Sequence, residues 1–146
     1  MTTLANSRVR VLVVEDHDPF RRHICSVLEN HAHLQVVGTS DDGPRAVQQA
    51  MVLEPDIVLL DIGLPGINGL EAARQIGEVS RNTKIIFLTQ EACAEVVEEA
   101  FFIGASGYIL KANAGSELLS AIETVSRGQR FLSRGLEAEP VTPRRA

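Results

Sequence analysis

The chain is 146 residues long, a size that suits a single domain. Its 45% apolar content indicates a packed core and excludes a disordered chain, and its 4% aromatic content predicts that this core is mostly aliphatic. The net charge of −5 disfavours a surface that neutralises nucleic acid phosphates, so we expect no specific DNA binding by this chain alone.

Signals for a membrane or an oxidising compartment are absent from the sequence. No run reaches the roughly 18 apolar residues of a membrane helix, and the polar N-terminal segment lacks the apolar stretch of a signal peptide. We therefore expect a cytoplasmic protein with no membrane contact. Cys25 and Cys93 are far apart, so neither a disulfide scaffold nor a zinc site is predicted.

Strand-length apolar runs alternate with helix-length segments along the chain. The predicted strands cover 9–14, 34–38, 57–60, 85–88 and 107–110. The predicted helices cover 18–30, 42–54, a segment after residue 69, 91–103 and 116–127. Asp18 and Asp42 are the candidate N-terminal caps of the first two helices.

This alternation predicts an α/β fold, a doubly wound five-stranded parallel sheet with helices on both faces. Several strand runs are continuously apolar, which is typical of strands buried on both faces. The predicted domain spans 9–130 and follows a short tail at 1–8. Residues 131–146 lack periodicity and are predicted to be a linker stub or a disordered tail.

Charged and hydroxyl side chains follow four of the predicted strands. They are Glu15 and Asp16 after the first strand, Asp61 after the third, Thr89 after the fourth and Lys111 after the fifth. Binding sites of open parallel sheets lie beyond the carboxyl ends of the strands, so these groups should converge. Crowded carboxylates suit Mg²⁺, and the sequence therefore predicts a magnesium pocket with a lysine beside it.

Each of these residues alone also has a structural interpretation. Asp16 is equally consistent with a helix cap. Asp61 is harder to explain in this way, because a long Gly-Pro-rich turn follows it rather than a helix. Lys111 is one of only two lysines among 14 cationic residues, and it ends an apolar strand.

The combined motifs resemble the receiver domain of two-component response regulators. The segment VLVVED resembles the acidic pair of that family, VLLDIGLPGINGL resembles its phosphoacceptor loop, and FLT resembles the strand that ends in its switch hydroxyl. GASGYILK resembles its strand with the switch aromatic and the lysine. The resemblance covers about 9–130 and implies a flavodoxin-like strand order 2-1-3-4-5.

The resemblance implies a role for each matching residue. Asp61 would be the phosphoacceptor for a phosphoryl group from a sensor histidine kinase. Asp16, Asp61 and the backbone carbonyl of Gly63 would bind Mg²⁺ directly, and Glu15 would hold the ion through water. Magnesium and the kinase are therefore the implied cofactor and partner.

The resemblance also implies a switch. Lys111 and Thr89 would bind phosphoryl oxygens, and Tyr108 would follow the threonine inward. The readout surface would be formed by the fourth helix, the fifth strand and the fifth helix, with a homodimer as a possible product of phosphorylation.

Three residues are expected to tune dephosphorylation. Gly63 offers no polar side chain to orient a hydrolytic water, Gln90 can screen the approach to Asp61, and Glu91 either accepts a proton or repels the phosphoryl group. We expect a phosphorylated state that lasts hours rather than seconds.

The C-terminal part resembles regulators whose receiver precedes a helix-turn-helix output domain. The tail VTPR at 141–144 is similar to the start of such a domain, which predicts transcription as the output and DNA contact only through a domain outside this chain. A free-standing receiver that acts through protein contacts is the alternative.

Two enzyme-like or ligand-binding classes compete with this interpretation. An aspartyl-phosphate phosphatase needs a second carboxylate two residues after the nucleophile, where this chain has Gly63, so we expect a phosphoacceptor rather than a turnover enzyme. A nucleotide- or flavin-binding module needs a Gly-rich loop after the first strand. Here that loop starts with Glu15 and Asp16, which would repel phosphate.

Overall fold

The computed structural model describes residues 7–136. The strands are β1 Val9–Val14, β2 Leu34–Ser40, β3 Ile57–Leu60, β4 Lys84–Thr89, β5 Gly107–Leu110 and β6 Phe131–Leu132. The helices are α1 Asp18–Glu29, α2 Gly43–Leu53, α3 Gly69–Val79, α4 Ala94–Phe102 and α5 Ala114–Ser126, with a 3₁₀ turn Lys111–Asn113 before α5.

The strands form one sheet in the order β2-β1-β3-β4-β5-β6, and every neighbouring pair is parallel. The predicted order of the first five strands is confirmed. The predicted number of strands is wrong, because the described part of the chain contributes a sixth strand at the edge beside β5.

Helices cover both faces of the sheet, as predicted. Alternate residues of each strand point to opposite faces, so Leu12 and Val14 belong to one apolar cluster and Val11 and Val13 to the other. The first cluster packs α2, α3 and α4 against the sheet, and the second packs α1 and α5. The central strands are therefore buried on both sides, which explains their continuous apolar runs.

The sixth strand corrects the predicted tail boundary. Phe131 and Leu132 pair with Gly107 and Tyr108, so residues 131–136 continue the fold rather than beginning a linker. Two residues are too few to give a periodic sequence signal, and the neighbouring strand edge supplies their partners. The predicted tail at 1–8 lies mostly outside the described residues, as do 137–146 and the VTPR segment within them.

The helix starts differ from the predicted ones in three places, one of which is α5, which begins at Ala114 instead of residue 116. Asp18 is the first residue of α1 rather than its cap, and its carboxylate binds Arg21. Helix α4 begins at Ala94 instead of residue 91. Asp42 caps α2 as predicted, by accepting a hydrogen bond from the Arg45 N–H at 2.8 Å. Within residues 7–136, no helix combines the length and apolar character needed to cross a membrane.

Candidate functional site

The carboxyl ends of the strands surround an open cleft of about 1110 Å³. With the exception of Tyr108, all the site residues predicted from the sequence line it: Glu15, Asp16, Asp61, Gly63, Thr89, Gln90, Glu91 and Lys111. The parallel sheet explains this convergence, since each strand delivers its last residue to the same edge.

Three carboxylates form the acidic part of the cleft. Glu15 and Asp61 are only 3% and 7% exposed, whereas Asp16 is exposed to solvent. One oxygen from each of the three carboxylates lies within 4.8 Å of the others, a spacing at which one cation can contact the group. Carboxylate oxygens beside open solvent suit Mg²⁺, which keeps several of its waters, so the residues present fit this ion.

Lys111 lies between two of these carboxylates. Its Nζ is 2.9 Å from Glu15 Oε1 and 3.0 Å from Asp61 Oδ2. Burial alone would lower the pKa of Lys111, but hydrogen bonds and charge from Glu15 and Asp61 outweigh this effect and raise the pKa above its ordinary value. The lysine therefore stays protonated and offsets the repulsion between the two buried acids.

Two residues of α1 support this arrangement and were not predicted from the sequence. The ring centroid of Phe20 lies 4.9 Å from Lys111 Nζ, within range of a cation–π interaction. Arg21 donates a hydrogen bond to the Glu15 carbonyl at 2.8 Å and thereby holds the loop after β1. The sequence contains one indication of a role for Phe20, because the chain has only five phenylalanines and this one lies close to Glu15 and Asp16.

The loop after β3 sets the position of Asp61. The Gly69 N–H donates to the Ile62 carbonyl at 2.7 Å, and Asn68 caps α3 by accepting a hydrogen bond from the Glu71 N–H at 3.0 Å. The Gly63 N–H points to Asp61 Oδ1 at 3.4 Å, while Asp61 Oδ2 faces Lys111. The two carboxylate oxygens thus have different neighbours.

The predicted switch residues Thr89, in the wall of the cleft, and Tyr108, behind it, are connected through Glu91. Thr89 is 2% exposed, and its Oγ1 accepts a hydrogen bond from the Glu91 N–H at 3.3 Å. Tyr108 is fully buried beside Phe87 and donates its hydroxyl to the Glu91 carbonyl at 2.7 Å. Burial is the main cause that raises the pKa of Tyr108, so its hydroxyl remains a donor. The tyrosine ring therefore already occupies an inward position.

The same contacts explain why α4 begins late. The backbone carbonyl of Glu91 is used by Tyr108, and its carboxylate accepts a hydrogen bond from the Cys93 N–H at 3.1 Å. Residues 91–93 are held outside the helix by these bonds. The Glu91 carboxylate is thus engaged at the start of α4, whereas the exposed Gln90 side chain borders the cleft.

The chain matches a known protein family and several individual proteins. The family described as the response regulator receiver domain matches residues 11–123. The response regulator GacA of Pseudomonas viridiflava is 40% identical over 131 residues, which are 86% of this chain and 58% of GacA. The transcriptional regulatory protein LiaR of Bacillus subtilis strain 168 is 34% identical over 121 residues, 83% of this chain and 57% of LiaR.

A solved structure shows the same fold. A two-component response regulator of the LuxR family from Aurantimonas sp. SI85-9A1 superposes with a TM-score of 0.81 at 33% identity, covering 86% of this chain and 89% of that protein. The chain spans somewhat more than half the length of the curated relatives it matches. The fold, the cleft and the family match together show that this chain belongs to the response regulator receiver domain family of two-component systems.

Proposed function

We propose that Asp61 accepts a phosphoryl group from the phosphohistidine of a sensor histidine kinase in a Mg²⁺-dependent reaction. The supporting observation is the position of its buried carboxylate, which lies within 4.8 Å of two other acids and 3.0 Å from the Lys111 ammonium. One Asp61 oxygen attacks phosphorus, the bond from phosphorus to the imidazole nitrogen breaks, and the imidazole leaves with the electron pair.

The residues of the cleft divide the remaining tasks. Asp16, Asp61 and the Gly63 carbonyl would hold Mg²⁺ directly, and Glu15 would hold it through water. When bound, the ion supplies positive charge that lets a carboxylate approach an anionic donor. Lys111 supplies a compact positive charge for a phosphoryl oxygen, and the Thr89 hydroxyl donates to another.

Labelling by a small phosphodonor tests this proposal without the kinase. We expect acetyl phosphate with Mg²⁺ to add one phosphoryl group to the wild-type chain, detected by intact mass spectrometry. Removal of Mg²⁺ with a chelator should abolish the added mass, because the acids of the cleft would then repel the donor. A mass shift that forms equally well in chelator would contradict the proposed role of the ion.

The output of this receiver is proposed to be transcription. LiaR, which is 34% identical, is a transcriptional regulatory protein, and the matched relatives extend well beyond the length of this chain. The surface formed by α4, β5 and α5 would change on phosphorylation and control either a homodimer or an attached output domain that contacts DNA. Thr89 and Tyr108 would link the cleft to this surface through Glu91.

We further propose a phosphoacceptor rather than a turnover enzyme, with a phosphorylated state that lasts hours. Gly63 is exposed in the cleft and carries no group that could orient a water, and one oxygen of the Glu91 carboxylate accepts a hydrogen bond from the Cys93 N–H at the start of α4. Gly63→Asn should accelerate decay about tenfold, a change of about 1.4 kcal/mol in the barrier. A Cβ at residue 63 meets no atom within 4 Å, so the variant fits.

The decay is followed by intact mass at fixed Mg²⁺ after removal of the phosphodonor. Gly115→Asn is the matched control, because residue 115 is also exposed and open to a side chain but does not line the cleft. Decay of the wild type within about a minute, or equal rates for wild type and Gly63→Asn, would show that residue 63 does not control the water.

A further inference from the structure

The short segment after α5 carries a buried serine. Ser133 follows β6 and is 1% exposed, although it lies near the edge of the sheet. Its N–H donates to the Tyr108 carbonyl at 2.9 Å and continues the pairing of β6 with β5. A buried hydroxyl needs hydrogen-bond partners, and two partners of this one belong to residues on either side of Lys111 in sequence.

The Ser133 hydroxyl contacts both sides of Lys111 in sequence. Its Oγ accepts a hydrogen bond from the Leu110 N–H at 3.1 Å, one residue before the lysine. It also accepts one from Asn113 Nδ2 at 3.0 Å, two residues after the lysine. One side chain therefore contacts the backbone before Lys111 and the Asn113 side chain after it.

A buried carboxylate completes this group. Glu117 is 7% exposed. Its carboxylate accepts one hydrogen bond from the Ser133 hydroxyl and another from the Arg134 N–H at 2.9 Å. Asn113 Nδ2 also donates to the Arg134 carbonyl at 3.1 Å. The serine thus has a fixed orientation, with its lone pairs directed at the segment of Lys111 and its proton directed at Glu117.

We propose that Ser133 is a positioning residue for phosphoryl binding, because it holds the Leu110 N–H before Lys111 and the Asn113 side chain after it, and so keeps the lysine ammonium beside Asp61. The inference rests on the proposed function of this cleft. The Lys111 ammonium contacts Glu15 at 2.9 Å and Asp61 at 3.0 Å from the end of a four-carbon stem, so a shift of the backbone from which this stem starts changes both distances. A misplacement of about 1 Å at a site of this kind can slow a reaction about a hundredfold.

The test is the affinity for beryllofluoride, a phosphoryl mimic, measured by ¹⁹F NMR titration at saturating Mg²⁺. Ser133→Ala should weaken this affinity about tenfold, since the Lys111 ammonium loses its fixed position. The Mg²⁺ affinity without beryllofluoride, measured by calorimetry, should not fall, because Ser133 contacts none of the three acids and a displaced ammonium no longer competes with the ion for Glu15 and Asp61. A role in stability alone would not separate these two affinities.

Ser80→Ala is the matched control. Ser80 is also buried, at 5% exposure, and its Oγ lies 2.6 Å from Thr83 Oγ1 near the end of α3. Its removal should lower the urea concentration at the unfolding midpoint, as should Ser133→Ala, without changing beryllofluoride affinity. Equal losses of affinity in the two variants would overturn the inference.

A double-mutant cycle with Lys111→Ala shows whether Ser133 acts through the lysine. The rate of labelling by acetyl phosphate should fall in each single variant, and Ser133→Ala should cause no further fall once Lys111 is alanine. If Ser133→Ala slows labelling by the same factor with Lys111 present and with alanine at residue 111, the inference is overturned. A wild-type beryllofluoride affinity in Ser133→Ala would also overturn it. If Ser133→Ala does not fold, Asn113→Ala carries the same test, because it removes one of the two donors to Ser133 Oγ.

The outcomes also separate this inference from the function on which it rests. A wild-type chain that binds no beryllofluoride overturns the proposed function and the role of Ser133 with it. Wild-type binding together with an unaffected Ser133→Ala variant overturns the role of Ser133 alone.

Discussion

Asp61→Asn is expected to abolish phosphorylation by acetyl phosphate completely. The amide keeps the shape of the side chain but removes the anionic oxygen that would attack phosphorus. It also removes one of the three acids that lie within 4.8 Å of one another, so Mg²⁺ affinity should fall at least about tenfold. Intact mass spectrometry measures the first effect and titration calorimetry the second.

Asp56→Asn is the matched control for this substitution. Asp56 immediately precedes the first residue of β3, whereas Asp61 follows the last. Asp56 accepts a hydrogen bond from the Arg10 N–H at 2.8 Å, which an asparagine oxygen can also accept. Labelling and Mg²⁺ affinity should therefore match the wild type. A phosphoryl group that still appears on Asp61→Asn would show that another residue is the acceptor.

Gly69→Ala is expected to destabilise the domain by about 3 kcal/mol or more. An added Cβ would lie 2.1 Å from the Asp61 carbonyl oxygen and 2.6 Å from Ile62 Cα, which are backbone atoms that cannot move aside cheaply. Any relief of this clash shifts the loop that carries Asp61. We therefore expect slower labelling at Asp61 as well as a lower free energy of unfolding in urea.

Gly77→Ala provides the comparison within the same helix. Residue 77 is exposed on α3, and an added Cβ meets no atom within 4 Å. Alanine should raise the free energy of unfolding by about 0.5 to 1 kcal/mol, because glycine loses more conformational freedom in a helix. Equal stability of the two alanine variants would mean that the close approach of Gly69 to Asp61 is not a real constraint.

The agreement between sequence and structure is greatest where local pattern and topology act together. The apolar runs before Glu15, Asp61 and Lys111 are long enough to predict strands, and a parallel sheet brings their ends to one edge. The placement of Lys111 at the same edge as the acids follows from that topology. The cap at Asp42 was predictable for a similar reason, since it depends on residues within one turn.

Features that depend on distant partners were not predictable from local pattern. The strand β6 contains two residues and exists because β5 offers it an open edge. The hydroxyl contact between Tyr108 and the Glu91 carbonyl, which delays the start of α4, joins residues 17 positions apart. Periodicity describes neighbours along the chain, whereas these contacts form only after the strands and helices have packed.

The sequence by itself determined the alternation of the first five strands with five helices, the parallel sheet and most of the side chains that meet at its carboxyl edge. It did so because strand length, apolar runs and strand-end residues are local properties. Only the tertiary structure decided that Lys111 lies between Glu15 and Asp61, that Phe20 faces its ammonium and that Ser133 holds its backbone. These positions result from packing between elements that are far apart in the chain. The distance and burial that the packing produces determine which of these groups interact, and neither can be read from residue type alone.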